Sequence, residues 1–436
     1  MTTTSSGVRL RSRRATALVD AVASLGDPAV TALVEACLHR TPERAFVPQP
    51  DGTTAVLTGD IPAMWLRDAS IQAGTYLRFT DDADLQDVLA GVVARLTAAV
   101  VHDPYANAVN LGPTGASWDA SDGHDDPWVW ERKYEIDSLA HVLDLLGRWW
   151  RTTGRTDVLG EAARAAVATA LEILELERDH AASSYRFTRD THLTIDTLGR
   201  GGLGSPVAVT GMSWTGFRPS DDACTFHFTS AGNLFAAAAL ERLAPLARAV
   251  WADEALAARC VRLATGLRDA TLEHAVVDDP HHGRVLAYEV DGLGGTLLAD
   301  DPNSPSLLGL PLLGALPYGA LYAATRTLVL SGANPWYYAG VHAAGLGSPH
   351  TEPGYVWPIG LVAAALTGTA DDRRATLGRL ARTDGGTGHV HESFHVDDPS
   401  RWTREWFSWG DCTLVDLAAA VATDRGRLVA DPLEAP

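Results

Sequence analysis

The stretch Gly59-Asp60-Ile61-Pro62-Ala63-Met64-Trp65-Leu66-Arg67-Asp68 runs from a loop into a helix. Pro62 cannot continue a regular ladder and restricts Ile61 before it. From Leu66 onward Ile71, Ala73, Leu77 and Phe79 recur among polar residues at helical spacing. An aromatic, a guanidinium and two carboxylates therefore stand at one loop–helix junction. Trp65 offers a flat apolar face and a polar N–H. Arg67 is a rigid fork of donors, and Asp60 and Asp68 are acceptors when ionised. A sugar ring needs this set: a platform for its C–H face, and fixed donors and acceptors for its hydroxyls. Without a ligand, Asp68 is a helix cap and Arg67 a surface charge.

Three other stretches share the composition: Trp128–Asp137, Gly347–Pro358 and Gly388–His395. Each precedes a helical pattern and mixes aromatics with ionisable groups, which points to loops gathered on a shared rim. Around them the spacing predicts helices over 10–25, 28–39, 66–79, 84–101, 133–153, 156–180, 231–249, 252–275, 318–330, 335–345, 355–367, 371–383 and 402–423. Strand-like runs stand at Ala55–Thr58, Tyr185–Thr188, His192–Asp196 and Arg284–Val290. The 102–132 loop is long enough to carry function. Long loops alternate with short Gly/Asp turns, the pattern of helical hairpins arranged in a ring. Without a strict repeat an open solenoid is disfavoured, and the scarcity of Val/Ile runs argues against a parallel sheet. The expected architecture is an all-α, single-domain (α/α)6 toroid over residues 1–436, with a few short strands at the loop end.

Composition narrows the partners. The 436 residues are 46 % hydrophobic and 20 % charged, so a large core can form. A net charge of −19 without a basic stripe argues against nucleic acid and anionic membranes as partners. Cys37, Cys224, Cys260 and Cys412 are far apart and read as free thiols of a reducing compartment. Arg13 and Arg14 precede an apolar run that Asp20 and Asp27 interrupt, so it reads as an amphipathic helix rather than an export signal. No run reaches the roughly 18 uninterrupted apolar residues of a membrane span. A cytoplasmic location is expected.

Breaking a glycosidic bond takes two carboxyl groups, one protonated and one ionised. The candidates in the aromatic loops are Asp60, Asp68, Glu131, Glu135, Asp137, Glu352 and Glu392. Glu392 follows the flexible Gly385, Gly386 and Gly388, and imidazoles at His389, His391 and His395 would keep it ionised. The same histidines with Glu392 form a weaker metal alternative. Asp137 lies in a first helical turn, where the dipole lowers its pKa and opposes an acid role. Burial or neighbouring carboxylates would have to raise it again, and these residues alone do not separate Asp137 from Glu135.

The motifs together resemble glycoside hydrolase family 125, the metal-independent exo-α-1,6-mannosidases. The resemblance rests on Asp60–Asp68, Glu131–Ser138, Phe217-Arg-Pro-Ser-Asp-Asp-Ala223, Asp300-Asp-Pro-Asn-Ser-Pro-Ser-Leu-Leu308, Gly347–Thr351 with Tyr355–Pro358, and His391–Phe394 with Trp402–Trp409. It implies a toroid and an inverting mechanism without cofactor or metal, acting on mannose-containing oligosaccharides. It places the general acid on Asp137 and the general base on Glu392. Substrate contacts are expected from Trp65, Arg67, Asp68, Arg132, Lys133, Asp221, Asn303, His350, Trp357 and His391. Three pieces depart from the family pattern: Phe226–Gly232 lacks an expected apolar, Pro-containing run, Trp409-Gly-Asp411 replaces Trp-Ala-Asn, and Ala299-Asp-Asp-Pro302 replaces a Met-Asp-Asp-Ala-like piece. The alternatives are another inverting glycosidase, a phosphorylase using Arg67, Arg132 and Lys133 for phosphate, or a glycan binder without catalysis.

Overall fold

Helix boundaries follow local chemistry. In the computed structural model, which describes residues 7–122 and 124–424, Asp27 accepts hydrogen bonds from Ala29 and Val30 N–H at 3.0 and 3.3 Å. Pro28 takes the first position of Pro28–Arg44. Thr369 and Asp372 form a reciprocal cap on Ala370–Leu380. Ile136–Thr153 stops at Gly154, whose φ of +66° a side chain would resist. The molecule is rich in helices. Among the described residues the longest strand, Asp398–Thr403, has six residues.

The described residues divide into two compact units. The first comprises 7–64, 68–95 and 337–424; the second comprises 65–67, 96–122 and 124–336. In the first, Pro28–Arg44 packs on Ser408–Asp424, and Arg13–Ala23 lies against both. Pro358–Leu366 packs on Ser408–Asp424 and on Ala370–Leu380. Leu33, Val34, Leu38, Leu414, Val415 and Leu417 are buried there, each contributing about 1.5–3 kcal/mol of transfer free energy. In the second, Ser230–Trp251 packs between Ile136–Thr153 and Glu254–Ala275. Its Ala236–Ala239 run is buried, because a helix flanked on two sides needs small side chains for close approach.

Residues 335–345, expected as a helix, form an antiparallel pair, Tyr337–Ala339 with Ala344–Leu346. Two tyrosines favour strand, and Gly340 and Gly345 weaken helix. A Cβ on Gly345 would also stand 2.6 Å from Leu361 Cδ2. The helix expected from 402 begins at Ser408, because Trp402 and Thr403 pair with Phe394 and Ser393. No strand forms at Tyr185–Thr188 or His192–Asp196 among the described residues; the latter holds a single 3₁₀ turn, Thr194–Asp196.

A recurring junction positions the polar residues: a strand of two or three residues feeds a helix. Phe228–Thr229 runs into Ser230–Trp251, and Tyr355–Val356 leads to Pro358–Leu366. Tyr355–Val356 pairs with Ser393–His395, which pairs with Asp398–Thr403. Ala108–Val109 pairs with Val129–Glu131, just ahead of Ile136–Thr153. The Ala83–His102 helix is long and apolar enough to cross a membrane by length and composition, but it is mostly buried in the protein, as a core helix is. All four cysteines are free and buried.

Candidate active site

Arg67 is the centre of a buried carboxylate cluster in the second unit. Leu66 N–H donates to Asn107 O at 2.9 Å, which fixes the backbone just before it. The Arg67 guanidinium reaches Glu135 Oε2 at 2.6 Å, Asp137 Oδ2 at 3.3 Å and Asp221 Oδ1 at 3.5 Å. Asn107 Nδ2 donates to Glu131, Glu135 and Asp221 at 2.8, 3.4 and 3.3 Å. Lys133 Nζ donates to Asp221 O at 2.8 Å and lies 3.4 Å from Asp196. Arg189 binds both oxygens of Asp122 and one of Glu131. The three cations Arg67, Lys133 and Arg189 thus face the six carboxyls of Asp122, Glu131, Glu135, Asp137, Asp196 and Asp221. Such an excess of negative charge, shielded from water, favours holding a proton.

Asp137 shows the effect. Burial pushes its carboxyl up to about 6, against the pull of Arg67. Burial also raises Glu135. The first-turn position therefore loses to desolvation. The two acids that spacing left open differ in their surroundings. Glu135 is engaged by Arg67, Asn107 and Ser138 Oγ. Asp137 Oδ1 has no hydrogen-bond partner among the described residues. The Asp137 side chain is only 1 % exposed, whereas that of Asp221 is 23 % exposed. Asp221 also stands at φ +66°, a conformation that disfavours a residue with a side chain.

Glu392 belongs to the first unit, and the group that holds it is not an imidazole. Its Oε1 accepts from Arg404 Nε at 3.1 Å, and Arg404 Nη1 donates to Asp60 Oδ1 at 2.6 Å. Arg404 adopts φ +48° to do so. His391 is buried and stacked on Trp402, with ring centroids 4.5 Å apart. Its Nδ1 lies 3.1 Å from Arg404 O, and its Nε2 lies 3.0 Å from Asp384 O. His391 thus braces the backbone that carries Arg404. The ring of His395 packs edge-on to Tyr355. Below the loop, Asp411 accepts from Cys37, Arg40, Trp406 and Val390 N–H at 3.0, 3.3, 2.9 and 3.4 Å. Among the described residues no group of three or more His, Cys, Asp or Glu side chains is placed to hold a metal ion.

The remaining expected contacts divide. Asp68 is buried in the first turn of Leu66–Tyr76. Arg132 bonds Asp103 at 2.5 Å and lies over the rings of Tyr105 and Tyr185, so its charge is spent on packing. Asn303 donates through Nδ2 to Asp301 at 2.8 Å, inside a loop where Asp300 caps Leu307 and Leu308 N–H. His350 is exposed and edge-on to Trp357. Trp357 is 2 % exposed, packed with Ile359, Phe407 and Trp409, and its N–H reaches Thr351 Oγ1 at 3.2 Å. Trp65 is 4 % exposed. The sequence reading missed Asn107, Arg189 and Arg404. Arg404 lies inside the quoted Trp402–Trp409 stretch, but its role depends on a left-handed backbone that composition does not signal.

Comparison with known proteins shows the family. The model of the metal-independent alpha-mannosidase family, GH125, matches residues 27–418. The chain is 32 % identical over 424 residues to the meiotically up-regulated gene 157 protein of Schizosaccharomyces pombe, covering 91 % of this chain and 83 % of that protein. A Streptococcus pneumoniae metal-independent alpha-mannosidase, in a non-productive complex with alpha-1,6-mannobiose, superposes with a TM-score of 0.92 at 39 % identity, covering 95 % of this chain and 99 % of that one. A bacterial glucoamylase complexed with acarbose shares the fold alone, with a TM-score of 0.56 at 12 % identity over 92 % of this chain and 56 % of its own. The chain belongs to the metal-independent alpha-mannosidases of family GH125 and is a glycoside hydrolase.

Proposed function

We propose that this chain removes α-1,6-linked mannose from the non-reducing end of oligosaccharides, with inversion, on an (α/α)6 toroid. The S. pneumoniae relative bound to alpha-1,6-mannobiose supports the linkage. The observation that carries the chemistry is the Arg67 cluster, where burial keeps a carboxyl at about 6 so that it can give up a proton near neutrality. Glu392, gripped by Arg404, is the base that activates water. Arg67 orients the acid and balances its charge once the proton has left. Arg132 and Lys133 are already engaged by carboxylates, which disfavours a phosphate pocket and with it the phosphorylase alternative.

The family resemblance puts the proton donor at Asp137. The burial of Asp137 beside the partly exposed, strained Asp221 favours a second reading, in which Asp221 makes the contact with the leaving oxygen and Asp137 holds the shared proton behind it. Asp137→Asn and Asp221→Asn decide between them. The true donor, when replaced, loses hydrolysis of mannobiose but keeps hydrolysis of an aryl mannoside with a good leaving group, which needs little protonation. Glu392→Gln should lose both. Proton NMR of the first turnovers on α-1,6-mannobiose should show β-mannose. Early α-mannose would sink the inverting mechanism, and turnover of only another isomer would sink the linkage.

A further inference from the structure

The loop that connects the two strands beside the acid cluster presents an indole to solvent. Its root is the cluster itself: Asn107, next to Ala108–Val109, donates to Glu131, Glu135 and Asp221, and Glu131 ends the partner strand. Its body is held in place. Arg189 bonds Asp122 at 2.6 and 2.7 Å, Ser121 Oγ accepts from Asp190 N–H at 3.0 Å, and Asn110 Nδ2 donates to Ala116 O and Pro127 O at 2.8 and 3.0 Å. Within this frame Trp118 N–H donates to Trp130 O at 3.0 Å. The Trp118 ring meets Trp65 edge-to-face, with centroids 6.5 Å apart and planes at 81°. Trp118 nevertheless stays 49 % exposed. Trp65, two residues before Arg67, is buried, and its indole N–H has no acceptor among the described residues. A half-exposed indole on a hydrogen-bonded backbone contributes little to a core; it is suited to an apolar face that arrives from solution.

We propose that Trp118 is the stacking platform for the sugar ring on the leaving-group side of the scissile bond. The inference rests on the proposed hydrolysis of α-mannosides. An acid delivers its proton to the leaving oxygen, so the departing ring lies on the acid's side, and Trp118 is carried by the loop rooted in the acid cluster. The C–H face of a pyranose matches the indole face. Asp119, adjacent in the chain, and the surplus of carboxylates at the root favour a neutral hexose over a phosphorylated or uronic one.

The test is a ratio. For the wild type, Trp118→Ala and Trp118→Phe, kcat/KM is measured on α-1,6-mannobiose and on α-mannosyl fluoride, whose leaving group occupies no sugar subsite. The alanine variant should lower the mannobiose-to-fluoride ratio about tenfold, the equivalent of one good aromatic contact, and phenylalanine should recover most of it. A ratio within about twofold of wild type in the alanine variant overturns the platform, whether both rates hold or both fall together. A wild type that turns over neither substrate overturns the functional reading, and the platform with it. A wild type active on both, with an unmoved ratio in the variant, overturns the platform alone.

Discussion

Replacing Arg404 by alanine and, separately, by glycine divides two effects that the native residue combines. Its guanidinium donates to Glu392 at 3.1 Å and to Asp60 at 2.6 Å, while its backbone stands at φ +48°. Both substitutions remove the one hydrogen-bond partner of Glu392 among the described residues. A hydrogen bond to a charged group contributes about 1.5–3 kcal/mol, which converts to a loss of roughly ten- to a hundredfold in kcat if it holds the base in place. The backbone term is separate. A left-handed residue with a Cβ costs about 1–2 kcal/mol, and glycine avoids that while losing about 0.4–1 kcal/mol to the freedom of the unfolded chain. Arg404→Gly should therefore be about 0.5–1 kcal/mol more stable than Arg404→Ala yet equally impaired. Urea midpoints at constant slope measure the first quantity, and initial rates on α-1,6-mannobiose the second. Arg404→Lys keeps a charge but loses the fork and should fall between. If alanine keeps more than half of the wild-type kcat, or glycine restores it, the guanidinium does not hold the base and the reasoning fails.

Asp137, raised to about 6 from an ordinary 3.8, binds its proton more tightly folded than unfolded. Its contribution to stability is therefore present below about pH 4 and declines as pH rises to about 6; urea midpoints across that window should show the decline, and Asp137→Asn should flatten it. With the cluster as proton source, kcat/KM should fall as pH rises above about 6, and a profile flat to pH 8 would contradict the assignment. Arg67→Met removes the cation beside Glu135, Asp137 and Asp221 and should cost about 3–5 kcal/mol at neutral pH, less at pH 4–5, where the raised Glu135 and Asp137 hold their protons; a pH-independent loss would mean the guanidinium acts by packing. Trp357→Ala should cost about 3–5 kcal/mol, with KM unchanged in the folded fraction, because a tryptophan buried among Ile359, Phe407 and Trp409 is a core residue; a KM rise without lost stability would restore it to the sugar site.

The sequence was informative where local chemistry decides the outcome. Pro28 opens the helix expected from 28, because the Asp27 side-chain oxygen meets N–H groups two and three residues on and needs no distant partner. The loop–helix junction around Arg67 was legible in a ten-residue window, but its partners Glu135, Asp137 and Asp221 lie far along the chain and were not. What failed was non-local or conformational. Nothing near Trp357 in the chain says that Phe407 will cover it. The histidines around Glu392 suggested an imidazole partner, but register in the Ser393–Thr403 pairing and a left-handed Arg404 hand that role to a guanidinium. The hairpin at Tyr337–Leu346 escaped because alanines and tyrosines satisfy a helical count, while its glycines matter only once Leu361 is packed against them.

The first unit draws on both ends of the described chain, and this has a consequence in the order of synthesis. Cys37 bonds Asp411 across 374 positions, and Asp60 bonds Arg404 across 344. The second unit is complete once the ribosome has passed Trp336. At about 5–20 residues per second, Pro28–Arg44 then waits roughly 20–80 s between its own emergence and that of its partner Ser408–Asp424. Ring-closure entropy grows only with the logarithm of loop length, so the finished protein loses little stability to this arrangement. The burden falls on the nascent chain, in which Arg13–Ala23 and Pro28–Arg44 must keep their apolar faces from aggregating until Ser408–Asp424 emerges. The carboxylates gathered on Arg67 are synthesised long before the loop of Glu392, so a stalled chain would hold the one without the other.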